Sequence, residues 1–307
     1  GKAHPLKVIA LLICALICSP SYSAAKFVFD NFVPYDQWYG VYSGDTKVGY
    51  ASEQWRENKA NGLHLVSIQT EFKFYSATTE GKAAVVHIDT QYTFDMQNDT
   101  TLLTKTEVTT NEEGIIDKET GSFIKTLKRT RVTASLRRNG GEDYVVNIAA
   151  GDQTTHYTLP YVAIRLDDVF QDRVLAHSNP PQGYETDERA YDVDLNLIQL
   201  RKGNIRVVEK LAVHREGKKE NHYVFELHDS EGFIITENIN DRGQLLRLEF
   251  MGIVARPESK KVATNLSMAV PFFPVQEIQI ESSLPPIEDI TGPVSYTHLT
   301  LPTILLV

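Results

Sequence analysis

Hydrophobic and polar side chains alternate along most of this chain. In the run from Ala83 to Met96, Ala84, Val86, Ile88, Tyr92 and Phe94 fall on one face, and His87, Asp89, Gln91, Thr93 and Asp95 on the other. A period of two marks an antiparallel strand with one buried and one wet face. At about 3.3 Å per residue this run reaches roughly 40 Å, long for a globular strand. The neighbouring runs 63–76 and 101–110 are rich in Thr, Val, Phe and Leu, as strands prefer. Between them, ENKANG, ATTEGK and QNDT carry turn chemistry. The pattern continues through 122–138, a turn at NGGE, and 143–150. After SNPPQG a second series reads 191–200, 205–215, 221–229, 233–239 and 244–252, with joints at RKGN, EGKKE, DSEG and NDRG. Glycine and asparagine at those joints suit tight hairpins, which need positive φ.

One segment departs from this period. Val162, Leu166, Val169, Phe170 and Val174 follow helical spacing, Pro160 suits a helix start, and Pro180–Pro181 bar its continuation. The spacing predicts one amphipathic helix over about 161–176 whose stripe serves core packing. Long strands with one apolar face must cover it, and one helix cannot cover a flat sheet. The expected architecture is therefore mostly β: a large antiparallel twisted sheet or half-barrel with one helix packed on its concave face.

The ends set the domain limits. Lys2 and Lys7, the apolar run Val8–Cys18 and the small residues of SPSYSAA have the three parts of an export signal, expected to be cleaved after Ser23 or Ala25. Eleven apolar residues are short of the roughly 20 that a stable transmembrane helix needs, so an exported chain without a stable span, periplasmic or secreted, is expected. The antiparallel domain is expected over 24–256. A proline-rich linker with one short strand at 275–280 follows over 257–293, leading toward a further region. VSYTHLTLPT (Val294–Thr303) resembles a translated sequencing adaptor, and 294–307 is read as a non-native tail. The chain starts at Gly1 rather than Met and is read as a fragment.

Charge and composition narrow the chemistry. Without Lys2 and Lys7 there are 29 basic against 40 acidic residues, a net charge of −11. Such a chain repels phosphate backbones, so nucleic acid is not an expected partner. Both cysteines, Cys14 and Cys18, lie in the signal, which leaves no thiolate nucleophile, thiolate metal site or disulfide beyond it. His214, His222 and His228 come from neighbouring strands but lack ligand spacing, and solvation is their ordinary fate. Asp192–Leu197 resembles the opening of a calcium loop, but Leu197 stands where glycine is required. Ser122 and Lys125 have the spacing of a Ser-x-x-Lys nucleophile, which needs a helix; on a strand they face opposite ways. Asp167–Asp168 and Glu112–Glu113 are adjacent pairs, expected to be solvated. No catalytic residue, cofactor or metal site is expected in these residues.

The most distinctive stretch is WYGVYSGDTKVGYASEQWRE, Trp38–Glu57. An aromatic strand with Trp38, Tyr39, Gly40 and Tyr42 turns at Ser43-Gly44-Asp45 and returns through Lys47, Gly49 and Tyr50. This resembles the opening of the β-rich N-terminal region of exported bacterial proteins of the transglutaminase-like superfamily. The Leu-Pro segment at 158–170 and the Asp-x-Gly hairpin region at 237–259 extend the resemblance to about Glu258. The strand–helix–strand grammar is also similar to periplasmic half-barrels that handle lipids or lipoproteins. The resemblance implies a non-catalytic β module preceding a papain-like Cys/His/Asp domain, none of whose three residues falls in this chain. The alternative is a stand-alone module that holds an apolar ligand in the concave sheet, or that meets a periplasmic or envelope protein, with the helix as a lid. Trp38, Tyr39, Gly40, Lys47, Gly49 and Tyr50 are expected to serve packing and turn formation, with Gly49 at a bulge or close approach.

Overall fold

The alternating runs become strands of one sheet. The structure, a computed structural model, describes residues 35–77, 82–117, 122–140, 143–159, 164–194, 197–229 and 232–266. The strands are β1 (Tyr35–Ser43), β2 (Thr46–Asn58), β3 (Leu65–Ala77), β4 (Lys82–Asp95), β5 (Thr101–Ile116), β6 (Phe123–Asn139), β7 (Asp143–Ala150), β8 (Gln153–Leu159), β9 (Glu185–Asp194), β10 (Leu197–Arg215), β11 (Lys218–Asp229), β12 (Ile234–Asn240), β13 (Leu245–Phe250) and β14 (Ile253–Glu258). They form one 14-stranded sheet in the order β8-β7-β6-β5-β4-β3-β2-β1-β14-β13-β12-β11-β10-β9. Every ladder is antiparallel. Two meanders therefore run outward from a seam where β1 pairs with β14, and the chain crosses from one outer strand to the other between β8 and β9. The fold class expected from the alternation is the one observed.

The phase of β4 is as the pattern predicted: Ala84, Val86, Ile88, Tyr92 and Phe94 are buried, with Thr90 among them, and His87, Asp89, Gln91, Thr93 and Asp95 reach solvent. Hairpins close where the turn residues stood, with Gly44, Gly217 and Gly243 at positive φ. The joint at RKGN is a correction. β10 runs unbroken from Leu197 to Arg215 and pairs antiparallel with β9 from Asp194 backward, so RKGN lies inside a strand. Gly203 marks close approach instead of a turn, because a side chain there would meet the Glu188 carboxylate and the His228 carbonyl.

The crossover is helical but broken. α1 (Leu166–Val169) and α2 (Gln171–His177) replace the single helix expected over 161–176. Residues 161–163 lie outside the described residues. The break is at Phe170, whose φ of −123° and ψ of 48° leave the helical region. That turn drives the ring into the aromatic interior, with centroids 4.8 Å from Trp55, 5.9 Å from Tyr92 and 6.5 Å from Phe94. Fixing four aromatics, all fully buried, outweighs one lost turn of a short helix. Backbone bonds tie the entry of α1 to β5 and its preceding turn, Leu102 N–H to Ile164 O at 2.7 Å and Leu166 N–H to Thr100 O at 3.0 Å.

β14 runs on through Pro257 and Glu258, opposite Tyr39 and Trp38, and a short helix, α3 (Lys260–Thr264), follows within the stretch read as linker. Pro257 is tolerated because β13 pairs with β14 only as far as Ala255, so on that side the strand is already an edge. The strand expected at 275–280, the export signal and the adaptor-like tail lie outside the described residues.

Candidate functional site

Two clusters stand out, one inside the curved sheet and one on its outer face. Inside, Glu53 falls in the inward phase of β2 between Ala51 and Trp55, where the pattern calls for an apolar residue. It meets Arg173 of α2. The guanidinium donates to both carboxylate oxygens, at 3.1 and 2.5 Å, and to the Gly243 carbonyl at 3.0 Å. Trp55 Nε1 donates to the same carboxylate at 2.5 Å. Both charged side chains are 1% exposed. Burial alone would favour a neutral Arg173, but Glu53 and the neighbouring Tyr39 and Asp172 hold it firmly protonated. This bidentate pair fixes the crossover to the sheet and, through Gly243, to the hairpin between β12 and β13. Tyr39 OH donates to Leu245 O at 3.0 Å and so joins the seam to the same hairpin.

Beside it lies an acid pair. Glu237, inward between Ile235 and Ile239 on β12, is fully buried with Asp172 as its neighbour. Burial first, then the Asp172 charge, pushes the Glu237 carboxyl well above its ordinary value, and Arg173 only partly opposes this. The adjacent acids Asp167 and Asp168, expected to be solvated, are buried as well. Asp168 accepts from the Arg165 backbone N–H at 2.9 Å and caps the start of α1. A helix surrounded by a curved sheet has no wet face, so its charges must find partners indoors.

The outer cluster gathers the motif residues. Strand alternation sends Tyr39 inward and Trp38, Gly40, Tyr42, Lys47 and Tyr50 outward, where they receive the chain leaving β14. Lys47 Nζ lies 2.8 Å from Glu258 Oε2 and also donates to the Val262 carbonyl. Tyr42 OH donates to Glu258 Oε1. The side chains of Lys47 and Glu258 are 6% and 11% exposed. Gly40 lies beneath the Glu258 carboxylate, which would collide with any Cβ there. Arg256 stacks 3.8 Å from the Tyr42 centroid, and Lys260 Nζ sits 5.1 Å above Trp38, itself 5.8 Å from Tyr50. Beyond α3, Leu266 is buried against Tyr75 and Val85, flanked by Tyr50 and Phe123. Tyr50 OH and His87 Nε2 both reach Glu71 Oε1, at 2.9 and 2.8 Å. The His87 bond holds the Glu71 carboxyl below its usual range against the opposing pull of burial, with Tyr50 adding to it. Gly49 is the close approach the sequence suggested: the Lys73 carbonyl of β3 occupies the place of its Cβ. The register of β1 on β2 slips beside it.

The structure thus brings five of the six motif residues to one region of the sheet's outer face or its backbone, with Tyr39 behind them. It does not bring the three histidines together. His222 and His228 lie six residues apart on β11, about 20 Å, and each contacts a glutamate two residues away, Glu220 at 3.0 Å and Glu226 at 3.2 Å. Among the described residues no helix is long and apolar enough to cross a membrane. Sequence reasoning missed Glu53, Arg173 and Glu237. Their signal was an acidic side chain in the inward phase of β2 and of β12.

No protein-family profile matches the chain, and no curated protein matches it. Among solved structures, the chain is similar to a crystal structure of a β-barrel-like protein of a domain of unknown function, DUF1849, from Brucella abortus, at 10% identity and a TM-score of 0.47. The match covers 74% of this chain and 97% of that one.

Proposed function

We propose that this chain is the non-catalytic N-terminal β module of an exported bacterial protein of the transglutaminase-like superfamily, acting in the periplasm, and that its outer-face motif holds the segment that leads out of the sheet. The observation that carries this reading is the Lys47–Glu258 pair with the Val262 carbonyl, nine-tenths buried on the outer surface. A buried ion pair is weak as a source of stability but strict in geometry. Placed at the exit of the last strand, it sets the direction in which the following residues leave. That is the task of a module that orients what comes after it. Gly40, Tyr42 and Lys47 meet Glu258 directly, while Trp38 and Tyr50 flank the same exit beside Lys260 and Leu266, which gives the motif a reason beyond turn formation. The apolar-ligand reading has less to support it, because Phe170 lies against Trp55, Tyr92 and Phe94 and fills the interior where a lid would have to open. Sequencing the uninterrupted gene tests the proposal. A downstream Cys…His…Asp series in frame is expected; a reading frame that continues without one would overturn it.

A further inference from the structure

The two outer strands of the sheet order are not its only free edges. β6 pairs with β5 from Phe123 to Arg137 but with β7 only from Val132 to Asn139. Among the described residues nothing pairs with Phe123–Arg131 on the β7 side, so these offer an open strand edge, nine residues or about 30 Å. Roughly every second residue on such an edge points its N–H and C=O outward. The side chains agree: Ile124 through Arg129 and Arg131 are exposed, with Ile124 at 71% and Leu127 at 46%.

The charge on this edge runs against the rest of the molecule. Lys125, Lys128, Arg129 and Arg131 gather within seven residues of a strongly acidic chain. Glu112 and Glu113 of β5 stand opposite Arg129 and Lys128, and Asp152 lies in the turn after Ala150, which pairs with Val132. Glu112 Oε1 accepts from Thr126 Oγ1 at 2.6 Å. Four cations within seven residues outnumber these three acids, so the edge carries an excess of positive charge. Lysines on an edge can serve only to repel other strands. An edge built for repulsion alone gains nothing from presenting Ile124 and Leu127 to solvent, and these are what a docked strand would cover.

We propose that the β6 edge from Ile124 to Arg131 is a docking site for an extended acidic peptide segment of a partner protein, which adds a strand beside β6. Main-chain bonds supply the pairing, while Lys125 and Lys128 on one face and Arg129 and Arg131 on the other select acidic residues. Ile124 and Leu127 take the apolar residues between them. The bulge in the β5 ladder at Leu127 lets the partner strand turn with the twist of β6.

The test uses the full chain and a fluorescein-labelled peptide of sequence EVEIEVE, read by anisotropy at low and high salt, with KVKIKVK as the control. Expected are saturable binding of the acidic peptide, weakening with salt, and none of the basic one. The paired change Lys128→Glu with Arg129→Glu, and separately Leu127→Pro, should each weaken binding at least about tenfold, or about 1.4 kcal/mol, while circular dichroism stays that of the parent. No binding by about 1 mM peptide would overturn the proposal. So would equal affinity in Leu127→Pro, which would mean charge acts without strand addition. Competition by phosphatidylglycerol vesicles that bind the chain through the same four residues, or concentration-dependent self-association lost in Leu127→Pro, would overturn it in favour of a lipid surface or a second copy.

Discussion

Replacing Arg173 by Met removes the cation but keeps most of the side-chain volume, and the consequence follows from what is left behind. Glu53 would retain one donor, Trp55 Nε1, and the Gly243 carbonyl would lose its bond from the guanidinium. Neither group can turn to water, since Glu53 is 1% exposed and Gly243 is buried. Breaking a buried pair from one side costs about 3–5 kcal/mol, because the surviving charge stays without compensation. In a domain of this size each kcal/mol moves Tm by roughly 2–4 °C, so the expected fall is roughly 6–20 °C. Substituting both partners, Glu53→Leu with Arg173→Met, removes the stranded charge and should recover most of the loss. Urea unfolding followed by tryptophan fluorescence reads this directly, since Trp55 touches the pair. A single-variant cost below about 1 kcal/mol, the value for an exposed pair, would refute the reasoning. So would a double variant whose loss is the sum of the two single losses.

Glu237 gives a pH prediction with a definite sign. Its folded value is raised, so the folded state holds a proton that the unfolded chain releases; its contribution is complete below the ordinary carboxylate range and is lost as pH rises through the folded value. Glu237→Gln, neutral at every pH, should gain stability over the parent progressively as pH rises above the ordinary carboxylate range in thermal melts. Glu71 has the opposite sign: its lowered value contributes stability above the ordinary range and loses it as pH falls. Tyr50→Phe removes one of its donors and should move the acid-unfolding midpoint upward. Gly49→Ala places a methyl group in the Lys73 carbonyl, and a loss of roughly 1–3 kcal/mol is expected by urea unfolding.

The sheet was legible in the sequence because half-burial leaves a mark in every strand. Ala84, Val86, Ile88, Tyr92 and Phe94 can share a face only at period two. Legibility failed where one residue type serves two purposes. Gly203 reads as a turn because glycine permits positive φ, yet it is present because Glu188 and the β11 backbone press on it. Pro257 reads as a boundary because proline ends most strands, yet β14 is already unpaired on that side. The helix break at Phe170 depends on Trp55, Tyr92 and Phe94, which lie far away in the chain and which no local period reveals. The motif was visible as a pattern, but the purpose of its outward half was not. Lys47 looks like an ordinary surface lysine until Glu258, 211 positions later, folds onto it.

That contact is the most direct point of attack on the account. Hydrogen exchange at the Val262 and Ala263 amides, compared between the parent and Lys47→Met, measures whether the motif holds the exit segment. Val262 N–H bonds to Ser259 Oγ and Ala263 N–H to the Ser259 carbonyl, so both report on the turn that Glu258 anchors. Exchange there should quicken at least about tenfold in the variant, an opening about 1.4 kcal/mol easier, while the amides of β4 keep their rates. Unchanged exchange at Val262 and Ala263 would show that the segment stays in place without Lys47, and would contradict the role assigned to the motif.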